Sequence, residues 1–115
     1  MKSIAVIGSR TFADYGLLEE TLVDYQISKL ISGGAKGADS LAERYATNHG
    51  IELVVFKPDW KKYGRGAGPI RNRDIVDAAD LVIAFWDGKS KGTKSALDYA
   101  EQKNKQVIIK LITNP

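Results

Sequence analysis

Three short stretches combine glycine, hydroxyl and cation as an anion site requires. They are Gly8-Ser9-Arg10-Thr11, Ser32-Gly33-Gly34-Ala35-Lys36-Gly37-Ala38-Asp39 and Trp86-Asp87-Gly88-Lys89-Ser90-Lys91-Gly92-Thr93. Glycine lets backbone N–H groups approach a phosphate with no side chain between them. A helix that starts just after such a turn adds the positive end of its dipole. Arg10, Lys36, Lys89 and Lys91 supply full charges. A fourth stretch, Gly66-Ala67-Gly68-Pro69-Ile70-Arg71-Asn72-Arg73-Asp74, adds Arg71 and Asn72. The arginine fork suits a phosphate or carboxylate, while Arg73 reads as a helix-face charge pairing with Asp74 or Asp77. One glycine-bearing turn is a weak signal, because many strand-to-helix turns use glycine only to turn. No turn here is a Walker loop or a full G-x-G-x-x-G fingerprint.

The elements that position these loops follow from hydropathy. Five apolar runs read as buried strands: Ile4–Ile7, Lys29–Ile31, Leu53–Phe56, Leu81–Phe85, and Val107–Ile109 extending to Ile112. They are β-branched and nearly continuous, as strands are when both faces are covered. Helical periodicity separates them over Tyr15–Tyr25, Ala38–Asn48, Ile70–Ala79 and Thr93–Lys103. Pro69 suits a first helical turn, and Gly50 a left-handed helix stop. Lys57–Gly68 reads as the longest irregular segment. Such alternation predicts an α/β fold: a parallel sheet with right-handed crossovers and helices on both faces. In open sheets of this kind ligands bind at the carboxyl ends of the strands. The three glycine-bearing loops all fall there and together form a cradle for an anionic, nucleotide-like ligand.

Composition narrows the classes. At 115 residues, one domain spanning 1–115 is expected. The 43% hydrophobic and 27% charged fractions are those of a folded globular chain. Cysteine is absent, which excludes disulfides, thiolate metal sites and a cysteine nucleophile. The single histidine, His49, argues against a catalytic triad and excludes a His-rich metal centre. It reads instead as a charge at the end of the second helix, as Lys103 and Lys105 do for the last. No run approaches a membrane span or a signal-peptide core, so a cytoplasmic protein with no membrane partner is expected. A net charge of +3 permits an anionic partner without demanding nucleic acid.

The motifs Ile7-Gly8-Ser9-Arg10, Ser32 through Asp39, Arg71-Asn72-Arg73 and Gly92-Thr93 occur in the order and spacing of the SLOG superfamily. That superfamily groups the Smf/DprA proteins with the Lonely Guy phosphoribohydrolases. Lys57-Pro58-Asp59-Trp60 through Gly66–Arg73 is most similar to its small, single-domain YspA-type branch. The resemblance covers nearly the whole chain. It implies a Rossmann-like, three-layer α/β/α fold with a five-stranded parallel sheet ordered 3-2-1-4-5. A nucleotide-derived ligand, NAD- or ADP-ribose-related compounds included, would lie across the loops after strands one, two and four.

Three functional readings follow. A sensor or sequestering domain for such a ligand needs the cradle and no catalytic carboxylate. Gly8, Ser9 and Arg10 would line the pocket centrally. Gly33, Gly34, Lys36 and Gly37 would lie on one side and Gly88, Lys91, Gly92 and Thr93 on the other, with Arg71 and Asn72 as the anion clamp. Trp86 or Tyr63 would stack on a base or ribose, or Trp86 would simply pack at a strand end. No cofactor or metal is required. The second reading is the Lonely Guy cleavage of a nucleoside monophosphate at its N-glycosidic bond, by an arginine and a glutamate. Arg71 matches that arginine, but Ser95 stands at the glutamate position, followed by Ala96. A hydroxyl cannot replace a carboxylate in that role. Asp98, one helical turn on, is the weak substitute, and Asp39 is read as capping the second helix. The third reading is single-stranded DNA binding, which the Smf/DprA likeness raises. Lys57, Lys61, Lys62 and Arg65 interleave there with Trp60 and Tyr63. The preferred alternative is a solvated basic loop. A homodimer or larger homo-oligomer is compatible with the family, with Tyr45 or Tyr99 at an interface.

Overall fold

The structure, a computed structural model, describes residues 1–112. The last three residues of the expected 1–115 domain lie outside the described residues. Five parallel strands form one sheet: β1 (Lys2–Gly8), β2 (Ile27–Ser32), β3 (Glu52–Val55), β4 (Leu81–Trp86) and β5 (Gln106–Leu111). Their order is β3-β2-β1-β4-β5, as the resemblance implied. The helices are α1 (Tyr15–Leu22), α2 (Ala38–His49), α3 (Trp60–Tyr63), α4 (Ala67–Ala78) and α5 (Lys91–Gln102).

Side chains alternate across a strand, so β1 feeds two cores. Ile4 and Val6 face α1 and α2, meeting Leu18, Leu22, Ala42, Tyr45 and Ala46. Ala5 and Ile7 face α4 and α5, meeting Ile75, Val76, Ala96, Leu97 and Ala100. All these side chains are buried. On the first face Phe12 stacks on Phe85 at 4.7 Å. On the second, alanines from both the sheet and α5 let that helix settle close to the strands.

Several expectations are corrected. The supposedly irregular Lys57–Gly68 holds α3 and a 3-10 turn over Gly64–Gly66. The Asp59 carboxylate starts α3 by accepting the Lys62 N–H at 3.1 Å. The next helix therefore begins at Ala67 rather than Ile70. Pro69 still lies in its first turn, where a missing N–H costs no hydrogen bond. Double-sided coverage holds for β1, β2 and β4 but not for the sheet edges: Ile109 and Leu111 on β5 are 47% and 73% exposed. Tyr45 belongs to the core at 4% exposure and stacks on His49 at 4.1 Å, so it is not free to form an interface. His49 lies 3.8 Å from Glu19. Lys105 caps a different helix from the one expected. Its ammonium donates to the Ala79 carbonyl at 2.8 Å, at the end of α4. Asp77 accepts the Tyr99 hydroxyl at 2.8 Å, while Arg73 lies over the Tyr99 ring at 5.9 Å.

Gly50 closes α2 in the left-handed conformation at φ 63°, as its position predicts. Gly37 opens α2 at φ 78° and ψ −125°. A Cβ there would collide with the backbone of Ser9 and Arg10, whereas at Gly50 it would meet open space. Gly37→Ala is expected to cost about 3 kcal/mol or more, from strain plus overlap. Gly50→Ala should cost only about 1 kcal/mol. Thermal unfolding of the two variants checks the contrast; equal losses would mean that α2 does not need this close approach.

Candidate functional site

Strand order reverses between β1 and β4, which diverge at their carboxyl ends into separate loops. A cavity of about 100 Å³ opens there. Gly8, Arg10, Arg71, Asn72, Gly92 and Thr93 line it, together with Ala35, Asp39, Ser90 and the apolar Ile7, Ile75 and Ala96. Loops after β1, β2 and β4 thus meet α4 at one point.

Backbone contact fixes this meeting. The Ser9 N–H donates to the Phe85 carbonyl at 3.0 Å, and the Ala38 N–H to the Ser9 carbonyl at 3.3 Å. A Cβ on Gly8 would strike the Phe85 carbonyl. Ser9 is buried, and its hydroxyl accepts the Asp87 N–H at 3.1 Å. It braces two loops against each other instead of standing open in the pocket.

Arg71 crosses from α4 to the β2 loop. Its Nη1 donates to the Gly33 carbonyl at 2.6 Å, and its Nε donates to the Asn72 side-chain oxygen at 2.9 Å. A Cβ on Gly33 would run into this guanidinium and crowd Asp39, so glycine makes room for the clamp. Asp39 is buried, and its carboxylate accepts the Ala35 N–H at 3.1 Å. It ties down the loop before α2, close to its expected capping role, and also faces the cavity. Burial pushes its carboxyl above the ordinary value, against the pull of the Ala35 N–H and the Arg71 charge. Burial likewise lowers Arg71, opposed by Asp39 and assisted by Arg10. An arginine stays charged at any physiological pH, so the pocket keeps two cations beside one reluctant carboxylate.

The remaining predicted residues divide. Gly34 turns the β2 loop against Val55 and Lys57, and Gly37 passes beneath Ser9 and Arg10. Lys36 is exposed and outside this cavity's lining. Gly88 and Lys91 line a neighbouring groove. That groove also holds Asp98, whose carboxylate accepts the Lys94 ammonium at 2.7 Å. Asp98 is therefore not placed beside Arg71 in the inner cavity. Trp86 is half-buried at the groove, its indole donating to the Ser90 carbonyl at 3.1 Å. Sequence reasoning missed Ser90. It is the N-cap of α5, a residue type that helix starts favour, and its hydroxyl lies 3.3 Å from that of Thr93. It also missed Asp87, whose carboxylate shapes the loop by accepting the Lys89 and Ser90 N–H groups at 2.8 Å each. Those bonds, the Lys89 one foremost, hold its carboxyl below the usual range.

The fold and this cavity define a Rossmann-like α/β protein with a glycine-walled cationic pocket at the switch point of its sheet. Comparison with known proteins then places the chain. Residues 2–63 match the YspA, cpYpsA-related SLOG family, and the chain belongs to that family. It is 32% identical over 120 residues to the Gene 61 protein of Mycobacterium phage D29, covering 94% of this chain and 95% of that one. Its fold is similar to that of DNA processing protein A (DprA) from Streptococcus pneumoniae, with a TM-score of 0.74 at 21% identity. It is also similar to DprA from Helicobacter pylori, whose structure concerns single-stranded DNA binding, with a TM-score of 0.72 at 21% identity. Both likenesses cover 93% of this chain, but only 49% and 64% of the respective DprA chains. Among the described residues no helix is long and apolar enough to cross a membrane.

The raised Asp39 carboxyl has a consequence for stability. A carboxyl whose folded pKa is raised contributes stability below its unfolded pKa, and that contribution is lost as pH rises through the folded value. An amide at this position would not titrate, and its oxygen can still accept the Ala35 N–H. Asp39→Asn should therefore gain stability relative to the wild type as pH rises from about 4 towards 7. Paired thermal melts across that range check the sign.

Proposed function

We propose that this chain binds a nucleotide-type ligand, with a phosphate in the cavity between Arg10, Arg71, Gly8 and Thr93. The observation that carries this reading is the Arg71 clamp. A half-buried guanidinium is held by the Gly33 carbonyl and Asn72 at the carboxyl edge of a parallel sheet, beside a second arginine. Its burial is only partly offset by Asp39, and a phosphate accepts from several such donors at once. Family membership supports a nucleotide-related role. On this reading the domain is a sensor or sequestering module. The acid–base step of an N-glycosidic hydrolase lacks a suitable group: Ser95 stands where the Lonely Guy glutamate would be, Asp98 is paired with Lys94, and Asp39 is engaged by the β2 loop.

One observation favours a second reading, single-stranded DNA. On α3, Trp60 and Tyr63 are 57% and 43% exposed beside Lys61, Lys62 and Arg65, as stacking platforms for bases would be. The DprA-like fold is compatible with it.

Calorimetry with AMP distinguishes these readings. Arg10→Ala and Arg71→Ala should each weaken AMP binding by about tenfold or more, the loss of one charge-assisted contact. Trp60→Ala should leave AMP binding unchanged. Retardation of a thymidine oligonucleotide that weakens with salt and disappears in Trp60→Ala would favour the DNA reading instead. Release of free adenine from AMP, abolished by Arg71→Ala, would restore the hydrolase.

A further inference from the structure

The inner cavity, at about 100 Å³, is far smaller than a nucleotide site needs. Ligand pockets for small molecules usually run to roughly 300–1,000 Å³. A phosphate group fits; a base and ribose do not. A second cavity of about 500 Å³ lies against it, and the two share Asn72 and Ala96 as walls. The Asn72 amide donates to the Gly92 carbonyl across this boundary at 3.5 Å, a long and weak bond.

The outer groove runs between α4 and the outward face of α5. Arg73, Lys89, Lys91 and Lys94 line it, with Trp86 as an apolar wall. Among its described lining residues the only carboxylate is Asp98, and Lys94 already pairs with it. Among the described residues Arg73, Lys89 and Lys91, along the way out of the inner pocket, make no ion pair within 4.0 Å. A second copy of the chain laid on this groove would oppose like charges. A chain of phosphates would neutralise them.

We propose that the ligand is a nucleotide carrying two or more linked phosphates. One phosphate occupies the inner cavity at Arg10 and Arg71. The next crosses the Asn72–Gly92 boundary into the outer groove, where Arg73, Lys89 and Lys91 hold it and the nucleoside lies along Trp86. This deepens the reading of the inner site and rests on it.

Calorimetry with AMP, ADP and ATP separates the two claims when run on the wild type and two variants. The outer variant is Arg73→Gln with Lys89→Gln, both exposed side chains; the inner is Arg10→Ala with Arg71→Ala. Thermal melts confirm that each is folded. The wild type should bind ADP and ATP about tenfold or more tighter than AMP. The outer variant should lose the advantage of ADP and ATP, binding all three nucleotides about equally. The inner variant should lose all three. Equal affinity of the wild type for AMP, ADP and ATP overturns the two-compartment proposal while leaving the inner site standing. So does an ADP advantage that survives in the outer variant. Failure of the wild type to bind any of the three, or unimpaired binding by the inner variant, overturns both. A thymidine tetranucleotide bound tighter than ADP, and lost in the outer variant, would assign the groove to single-stranded nucleic acid instead.

Discussion

Everything at the carboxyl edge of the sheet depends on how closely the backbone leaving β1 approaches its neighbours. The Phe85 carbonyl of β4 meets the Ser9 N–H, and the Ser9 carbonyl meets the first N–H of α2. Gly8 and Gly37 sit at these crossings, where any Cβ would overlap backbone atoms. The contact ties together the loops after β1, β2 and β4. The buried Ser9 hydroxyl extends the lock to Asp87. Buried backbone groups must find partners. Here the partners lie across different strands, which turns three loops into one wall.

On this wall the cavity's charges are placed by a second crossing, Arg71 over Gly33. The guanidinium spends donors on the Gly33 carbonyl and on Asn72, so its plane is fixed before any ligand arrives. Preorganisation of this kind removes the ordering cost that a free surface arginine would incur on binding. Asp39 is the counterweight. It holds the β2 loop through the Ala35 N–H, and burial makes its charge unfavourable. The cavity thus sets two arginines beside one disfavoured carboxylate.

Family and fold sit at different distances from function. Membership of the YspA-related SLOG family rests on the N-terminal half of the chain, residues 2–63. The similarity to DprA extends along the sheet at low identity, and it is a similarity of architecture. The chemistry must come from the residues themselves. In the outer groove those residues include Ser95 and the Asp98–Lys94 ion pair.

The sequence by itself determined the alternation of strands and helices, a sheet covered on both faces, and the glycine-bearing loops at its carboxyl edge. Continuous apolar runs and glycine placement are local signals: Ile4–Ile7, Gly50 after α2, and glycines after β1, β2 and β4. It also placed Arg71 at the carboxyl edge of the sheet, where it lines the cavity. It misjudged Lys57–Gly68, where two short helical turns form with almost no apolar periodicity to mark them. Helix α3 leaves Trp60 and Tyr63 exposed, so it buries no stripe that a periodicity search could find. Tertiary structure alone decided which members of the cradle share a cavity. Ser9 turned inward as a brace, Lys36 stayed in solvent, and Gly88 and Lys91 went to the outer groove with Asp98. Such outcomes depend on side-chain direction and on backbone crossings between residues far apart in the chain. The 78-residue separation of Ser9 and Asp87 is one example, and no local pattern encodes a distance of that kind.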